Sequence, residues 1–334
     1  MPTVTADEIG GVTAAVARRW QAIDPLLPAP AAPSGGCGAE LTVTGPGGRL
    51  AAVGSCEHWR EGPGSLDLTW GAASRFRLTA QTAGPDAAGA LDELLARWQA
   101  HLATVPEAGG QDTAAVVSWP SRDVSGPLAL LRHGLAPRAV IAARPAGRRA
   151  ARQPAPRPPE SSGSAQAAAR GGVQLRRAGP ADIGTVVRLG MATVRFDAHF
   201  GTVIERPWSA EALRKAAGPL LAGPAAWTWL AERDGEAVGL LYAEPPDAAQ
   251  WIAPMAGPAP VAYLELMYVQ PDERGQGAGP ALAERLHDTA DGAGVAVTLL
   301  HYEQVNPLSG PFWSRQGYRP LWTSWEARPA LTLR

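Results

Sequence analysis

The residues from Val269 to Gly279 read VQPDERGQGAG and set one arginine among three glycines, between an apolar run and a helical pattern. Glycine lets a backbone turn tightly and bring its N–H groups close to a ligand. A helix that starts just after such a loop adds unpaired first-turn donors and the positive end of its dipole. Pro280 suits that first turn, where a missing N–H costs little. With Arg274 adding charge, the loop is suited to hold a pyrophosphate. It is not a dinucleotide fingerprint, because the G-x-G-x-x-G frame from Gly275 meets Pro280 at its third glycine. Nor is it a nucleoside-triphosphate loop, since no lysine is near; Lys215 is the only one in the chain. Just upstream, VAYLELMYV carries a single carboxylate, Glu265, in an otherwise apolar strand pattern. A carboxylate in that setting is paired, wet or functional. Two-residue alternation puts it on the same face as Met267 and Val269. No His or Cys cluster has metal-ligand spacing, so no metal is expected, and no Gly-x-Ser-x-Gly or Cys–His pattern suggests a covalent nucleophile.

These groups need a strand–loop–helix frame, and the C-terminal half has the patterns for one. VQLRRAGPADIGTVVRLGMATV reads as a strand, a Pro–Ala–Asp helix start and an amphipathic helix. AWTWLAERDGEAVGLLYAEP reads as two strands joined across Arg233–Glu236, with Asp234-Gly235 as the hairpin signal. VAYLELMYV is a strand, and Pro280 to Ala290 is a helix with Leu282 and Leu286 on one side and Glu284, Arg285 and Asp288 on the other. VAVTLLHYE, LSGPFWSRQ and YRPLWTSWEAR follow as buried strand, short helix and last strand. The order predicts an α/β layer on a mixed sheet.

A chain of 334 residues allows one large domain or two ordinary ones. The net charge of -1 gives no reason to expect nucleic acid or an anionic membrane as a partner. The opening MPTVTADEIGGVTAAVARRW carries acids early and has no long apolar core, so neither a signal peptide nor a membrane span is expected. Cys37 and Cys56 fit a reducing cytoplasm more simply than a bridge. Residues 147–172 are rich in Arg, Pro, Ser, Ala and Gly and read as a flexible linker, because they cannot bury enough surface to offset their ordering entropy. Ser125–Ala146 and Ser309–Ala330 share S-G-P, a short helix, a glycine and a strand ending in A-R-P-A, which points to duplication.

LELMYVQPDERGQGAGPAL resembles the central acetyl-coenzyme A motif of the GNAT acyltransferases: apolar strand, Val-x-Pro, then R/Q-x-x-G-x-G/A, with Arg274, Gly277 and Gly279 in the frame. NPLSGPFWSRQGYRPL resembles that family's next motif, with Asn306, Ser309, Phe312, Trp313, Gly317 and Tyr318 at its spacings. The resemblance spans roughly 173–330. It implies acetyl-CoA as co-substrate. The backbone of Met267, Tyr268 and Val269 would pair with the pantetheine arm, and Arg274, Gly275, Gln276, Gly277, Ala278 and Gly279 would hold the pyrophosphate. Asn306, Ser309 and Trp313 complete the implied cofactor site.

Acyl transfer to an amine needs a neutral amine, a polarised carbonyl and room for the thiolate. Glu265 is the candidate base. Many family members place an acid tyrosine where this chain has Trp313, and an indole cannot fill that role. Tyr302 is the first candidate to replace it, with Ser309 and Ser314 beside it; alternatively the thiolate leaves unaided, which a thiol pKa near ~9 permits. His301 and Tyr302 end the strand before Asn306 and are placed to reach the acyl end. The segment 194–208 lies where the family puts substrate-facing helices, so Asp197, His199 and Glu205 are candidates to bind a cationic amine.

In the N-terminal half, TAGPDAAGALDELL aligns Pro85-Asp86 with Pro271-Asp272 and Gly89 with Gly279, but lacks the arginine and the glycine run. That half reads as a degenerate GNAT-like domain or an unrelated α/β domain. The expected fold class is α/β with two GNAT-like domains, 1–146 and 173–334, each a mixed, mostly antiparallel sheet flanked by helices. The expected activity is N-acetyl transfer to a small amine in a ternary complex at the C-terminal site. The alternative is a non-catalytic acyl-CoA-binding or scaffold protein.

Overall fold

The structure is a computed structural model that describes residues 4–31, 39–147, 172–223 and 227–334. Of the expected linker 147–172, all but the two end residues lie outside the described residues, as does Cys37. The N-terminal half runs α1 (Ala6–Ile23), β1 (Glu40–Thr44), β2 (Leu50–Arg60), β3 (Ser74–Thr82), α2 (Ala87–Leu102), β4 (Thr113–Pro120), α3 (Pro127–Arg132) and β5 (Ala136–Pro145). The C-terminal half runs β6 (Gln174–Arg177), α4 (Ile183–Asp197), α5 (Ser209–Ala222), β7 (Trp227–Arg233), β8 (Glu236–Glu244), β9 (Val261–Val269), α6 (Ala278–Gly292), β10 (Val297–Glu303), α7 (Ser309–Arg315) and β11 (Arg319–Ala327). The β7–β8 hairpin turns on Asp234 and Gly235, both at positive φ (52° and 83°), as an Asp-Gly turn requires.

The eleven strands of the described residues form one sheet, in the order β1-β2-β3-β4-β11-β5-β10-β9-β8-β7-β6. The last strand of each half is exchanged: β11 pairs with β4, and β5 pairs with β10 over seven residues. β5 and β11 meet as antiparallel neighbours, with Val140 opposite Thr323 and Ala139 opposite Ser324. These two strands belong to the repeated segments of the sequence, each preceded by a short helix and a glycine at positive φ, Gly134 (79°) or Gly317 (89°).

Side chains alternate across the strands and build two layers. On one face α2 and α3 cover a core with Ala52, Leu78, Leu94 and Trp98, and α6 and α7 cover a second with Leu241, Leu264, Leu282 and Leu286. On the other face α1 packs through Val12 and Val16 on Val53, while α4 and α5 pack on Leu240, Tyr242 and Leu266. Each fully buried leucine contributes about 1.5–3 kcal/mol, so these stripes fix which helix end faces which strand end. Only two neighbouring pairs are parallel, and both part early: β3–β4 after Leu78–Val117, and β9–β10 after Leu264–Leu300.

Candidate active site

The parting of β9 and β10 makes the site. Past Leu264 and Leu300, β9 runs on to Val269 still paired with β8, and β10 runs on to Glu303 paired with β5. The edge of β9 that faces the gap therefore has no sheet partner at Met267 and Val269, where the Val269 carbonyl accepts from Arg274 instead, whereas Tyr268 shares with Gln270 the edge that bonds to β8. The pairing of β8 with β9 slips between Tyr242 and Ala243, whose partners are Leu266 and Leu264, so Glu265 is the extra residue of a bulge. The bulge breaks the expected alternation. Glu265 does not share a face with Met267 and Val269, which pack toward α6. It joins the opposite face, near Tyr242 and Tyr263, whose phenols its charge affects.

No cation or N–H donor among the described residues engages the Glu265 carboxylate, and burial pushes its pKa up to about 8, with Glu244 and then Asp67 adding to the shift. By surface area the residue is half-buried, so solvent still reaches part of it.

The glycine loop is open. Gly275 and Gly277 stand at φ 76° and 92°, and a Cβ at either would meet nothing within 4 Å. No side chain caps the N-terminus of α6, so its first-turn donors face this space. Arg274 does not reach over the cradle. Its Nε donates to the Val269 carbonyl at 3.1 Å, and its guanidinium lies over Phe196 (5.0 Å) and Tyr268 (5.8 Å). Gln276 donates to the Asp272 carbonyl at 2.6 Å. Ala278 is buried, and a side chain at Gly279 would sit 3.3 Å from Phe312. The matching position in the N-terminal half is filled. Asp86 caps α2 by accepting from Gly89 N–H at 2.9 Å, which puts a carboxylate where a phosphate would have to sit. The parting of β3 is plugged by Arg19, which donates to the Thr82 carbonyl at 2.7 Å and pairs with Asp123 at 3.0 Å.

The other expected residues divide. Asn306 is buried and engaged at both ends: its Oδ1 accepts from Leu308 and Ser309 N–H (3.0 and 3.3 Å), and its Nδ2 donates to Asp197 at 3.1 Å. Ser309, half-buried, begins α7 there. Trp313 is 6 % exposed and packs edge-on against Phe312 and Tyr318, so it is part of the core under the sheet. Tyr302 is half-buried on that same layer, beside Gly310, and burial raises its pKa. Asp197 is pushed up to about 6 by burial, against the Asn306 hydrogen bond. His199 and Glu205 do not join it. His199 is exposed and bonds to the carbonyls of Arg195 and Phe196, and Glu205 pairs with Arg195 on the outer surface.

Of the groups near Glu265, His301 is singled out by its place at the strand end, whereas Glu244, Tyr263 and Glu303 carry no sequence signal. Glu244 accepts from Trp251 Nε1 at 2.8 Å, and burial raises its pKa. Tyr263 Oη lies 2.9 Å from His301 Nδ1, and burial holds the imidazole down to about 4. His301 as a residue nonetheless keeps exposed surface. Farther along the same face, Glu303 is pushed up to about 7, first by burial, with Asp197 and Glu326 adding. The N-terminal half closes this trough. The carbonyl of Thr69 accepts from Ile204 N–H at 2.9 Å, Thr69 Oγ1 meets Ser209 Oγ at 2.7 Å, and Arg206 bonds to Leu68 O and Asp112. Asp67 stands at the edge of that contact and within electrostatic reach of Glu265. Among the described residues no group of His, Cys, Asp or Glu could hold a metal ion, and no helix is long and apolar enough to cross a membrane.

Residues 196–318 match the family model described as Acetyltransferase (GNAT) family. No curated protein matches the sequence. Among solved structures, a GCN5-related N-acetyltransferase from Sphaerobacter thermophilus aligns over 98% of this chain and 94% of its own, at 16% identity and a TM-score of 0.52. A GNAT-family acetyltransferase from Colwellia psychrerythraea aligns over 97% of both chains at 13% identity and a TM-score of 0.48. A tandem GNAT protein from the clavulanic acid biosynthesis pathway aligns over 97% and 95% at 12% identity and a TM-score of 0.38. Residues 196–318 thus match the GNAT acetyltransferase family model, and the chain as a whole shares its fold with a GCN5-related N-acetyltransferase.

Proposed function

We propose that the chain is an acetyl-CoA-dependent N-acetyltransferase for a small amine, with one site, in the C-terminal lobe. The observation that carries this is the juxtaposition at the β9–β10 gap. An open glycine cradle and an uncapped helix stand at its outer end, and an unpaired, bulged Glu265 at its inner end. The gap-side backbone of Met267 and the Val269 N–H offer partners to the pantetheine amides, while Gly275, Gln276, Gly277, Ala278 and Gly279 offer N–H groups to the pyrophosphate. Arg274 supplies charge from the rim.

Glu265 accepts a proton from the acceptor ammonium, directly or through water. The amine nitrogen bonds to the acyl carbon, the C–S bond breaks, and the CoA thiolate leaves. The first ammonium proton passes through Glu265 to solvent, and the second leaves the nitrogen after the C–N bond has formed and goes to the departed thiolate, so the products are the neutral amide, the CoA thiol and one released proton. Trp313 is unsuited to protonate the leaving thiolate and Tyr302 sits on the α7 side of the sheet, so the thiolate leaves without an acid, as a thiol pKa of about 9 allows. Asp197 and Glu303 give the acceptor side a carboxylate lining suited to an ammonium. The sequence halves 1–146 and 173–334 are two lobes that exchange their last strands, and the first serves as a roof. Titration calorimetry with acetyl-CoA, followed by thiol release over a panel of small amines, tests the reading. Binding with amine-dependent release supports it; binding without release favours a non-catalytic acyl-CoA-binding protein; no binding refutes both.

A further inference from the structure

Tyr263 and His301 form a pair to which the reaction above gives no task. Tyr263 is 4 % exposed, and burial together with Glu265 and Glu244 keeps its phenol protonated. Its oxygen lies 2.9 Å from His301 Nδ1 and has no other hydrogen-bond partner among the described residues. A protonated phenol facing an imidazole nitrogen is satisfied when it donates, which makes Nδ1 the acceptor and leaves the ring proton on Nε2. The two ring nitrogens point in diverging directions. With Nδ1 held toward Tyr263, Nε2–H points away from Tyr263, and the residue keeps exposed surface. The ring cannot easily reorient. Tyr263 crosses it at 76° and Trp251 lies parallel to it at 6.5 Å, with Trp251 itself tied to Glu244. His301 is also the first residue of β10 beyond its last pair with β9, so it stands across the gap from Glu265.

We propose that Tyr263 fixes His301 as the Nε2–H tautomer, and that this N–H donates a hydrogen bond to the acyl carbonyl oxygen of the bound thioester, across the gap from Glu265. The inference rests on the acetyl-CoA reading of the site. As the amine adds to the carbonyl carbon, the C=O π electrons move onto oxygen, and a donor already aimed there stabilises that charge without reorganising. His301 keeps its proton throughout, and Glu265 alone takes the first proton from the amine. Tyr263 is the positioning residue.

Long-range ¹H–¹⁵N spectra of the labelled full-length protein read the tautomer without any substrate. The expected result is protonated Nε2 and bare Nδ1 in the wild type, and a mixture of tautomers in Tyr263→Phe. Acetonyl-CoA labelled with ¹³C at its ketone, an analogue that cannot transfer its acyl group, reads the donor. Its carbonyl resonance should move downfield on binding. The shift should be lost in His301→Phe, reduced in Tyr263→Phe and kept in His301→Gln, whose Nε2 carries a hydrogen at the same depth. With an amine acceptor, His301→Phe should lower kcat by about 100-fold and leave KM for acetyl-CoA within twofold. A protonated Nδ1 in the wild type, or a bound carbonyl shift indifferent to His301→Phe, overturns the proposal. Should His301→Phe fail to fold, Tyr263→Phe retains the ring packing and decides it. If the analogue does not bind at all, the acetyl-CoA reading falls, and the tautomer still decides whether Tyr263 orients His301.

Discussion

Replacing Glu265 with glutamine keeps the shape of the side chain and removes its ionisation. In the folded protein the carboxyl is held at about 8, against 4.5 for the free group, by burial first and by Glu244 and Asp67 next. A folded pKa above the unfolded one means that the folded state binds the proton more tightly. The stability this contributes is complete below pH 4.5 and is lost as the pH rises through 8. Each pKa unit corresponds to ~1.36 kcal/mol, so between pH 5 and pH 9 the wild type should lose about 4 kcal/mol relative to Glu265→Gln. That figure is a ceiling, because a pocket that opens to solvent admits water once the group ionises. Urea denaturation of both proteins at unit steps over that range measures the difference. The curve should rise from pH 5 and level off above pH 8. Catalysis should follow the same group with the opposite preference: kcat/KM of the wild type rises with pH through about 8, because the base must be ionised, and Glu265→Gln lacks that limb. A flat stability difference would mean that the carboxylate is already ionised at pH 5, stabilised by water or by a partner. The argument for an unpaired base in a desolvated bulge would then fail.

Gly277→Glu should abolish acetyl-CoA binding in calorimetry, since it puts a carboxylate into the cradle, and the strain of a side chain at φ 92° should cost about 1–2 kcal/mol of stability. Asn306→Ala frees the N–H groups of Leu308 and Ser309 and removes the donor to Asp197. Thermal unfolding should show a loss of ~1–2 kcal/mol, and an NMR titration should place Asp197 above its present value of about 6. Arg19→Met leaves Asp123, 3 % exposed, without its cation. It should destabilise the protein by about 3 kcal/mol in urea without creating a second acetyl-CoA site, because Asp86 still caps α2.

The frame of the site was legible because it depends on local chemistry. The glycine run, the Asp234-Gly235 turn and the Leu282/Leu286 stripe each carry their cause within a few residues, and each appears in the structure where the pattern puts it. The bulge at Glu265 was not legible. It arises from a slipped register against β8, which the residues of β9 do not encode by themselves. The same limit hid the Tyr263–His301 pair, whose members are 38 positions apart, and the exchange of β5 and β11, which depends on how two similar hairpin halves pair across the molecule. Asp197, His199 and Glu205 were grouped by proximity in sequence. The turn at Gly201 (φ 86°) and the Arg195–Glu205 ion pair then send the last two outward.

The two lobes share a framework, so the difference between them bears directly on what a site requires. Both have a parallel pair that parts midway, a helix beginning near the open end and a short helix before the exchanged strand. In the N-terminal lobe β2 and β3 pair from Ala52–Thr82 to Arg60–Ser74 with no slip, so the residue after the last parallel pair, Thr79, stays in the ladder opposite Ser55. In the C-terminal lobe the corresponding residue is Glu265, lifted out by the bulge. The helix start is capped by Asp86 in one lobe and has no side-chain cap in the other. At the strand end Arg19 bonds to the Thr82 carbonyl in the first lobe and Arg274 to the Val269 carbonyl in the second, so the lobes differ in the bulge and the cap. Both differences act in the same direction. The first lobe satisfies these polar groups internally and gains stability from doing so; the second leaves helix donors and a carboxylate without side-chain partners among the described residues. Unsatisfied groups are costly in a fold, and two kinds of them converging on one gap support the ligand proposed above. Because β5 flanks β10 there and Asp67 lies within electrostatic reach of Glu265, the first lobe borders that gap.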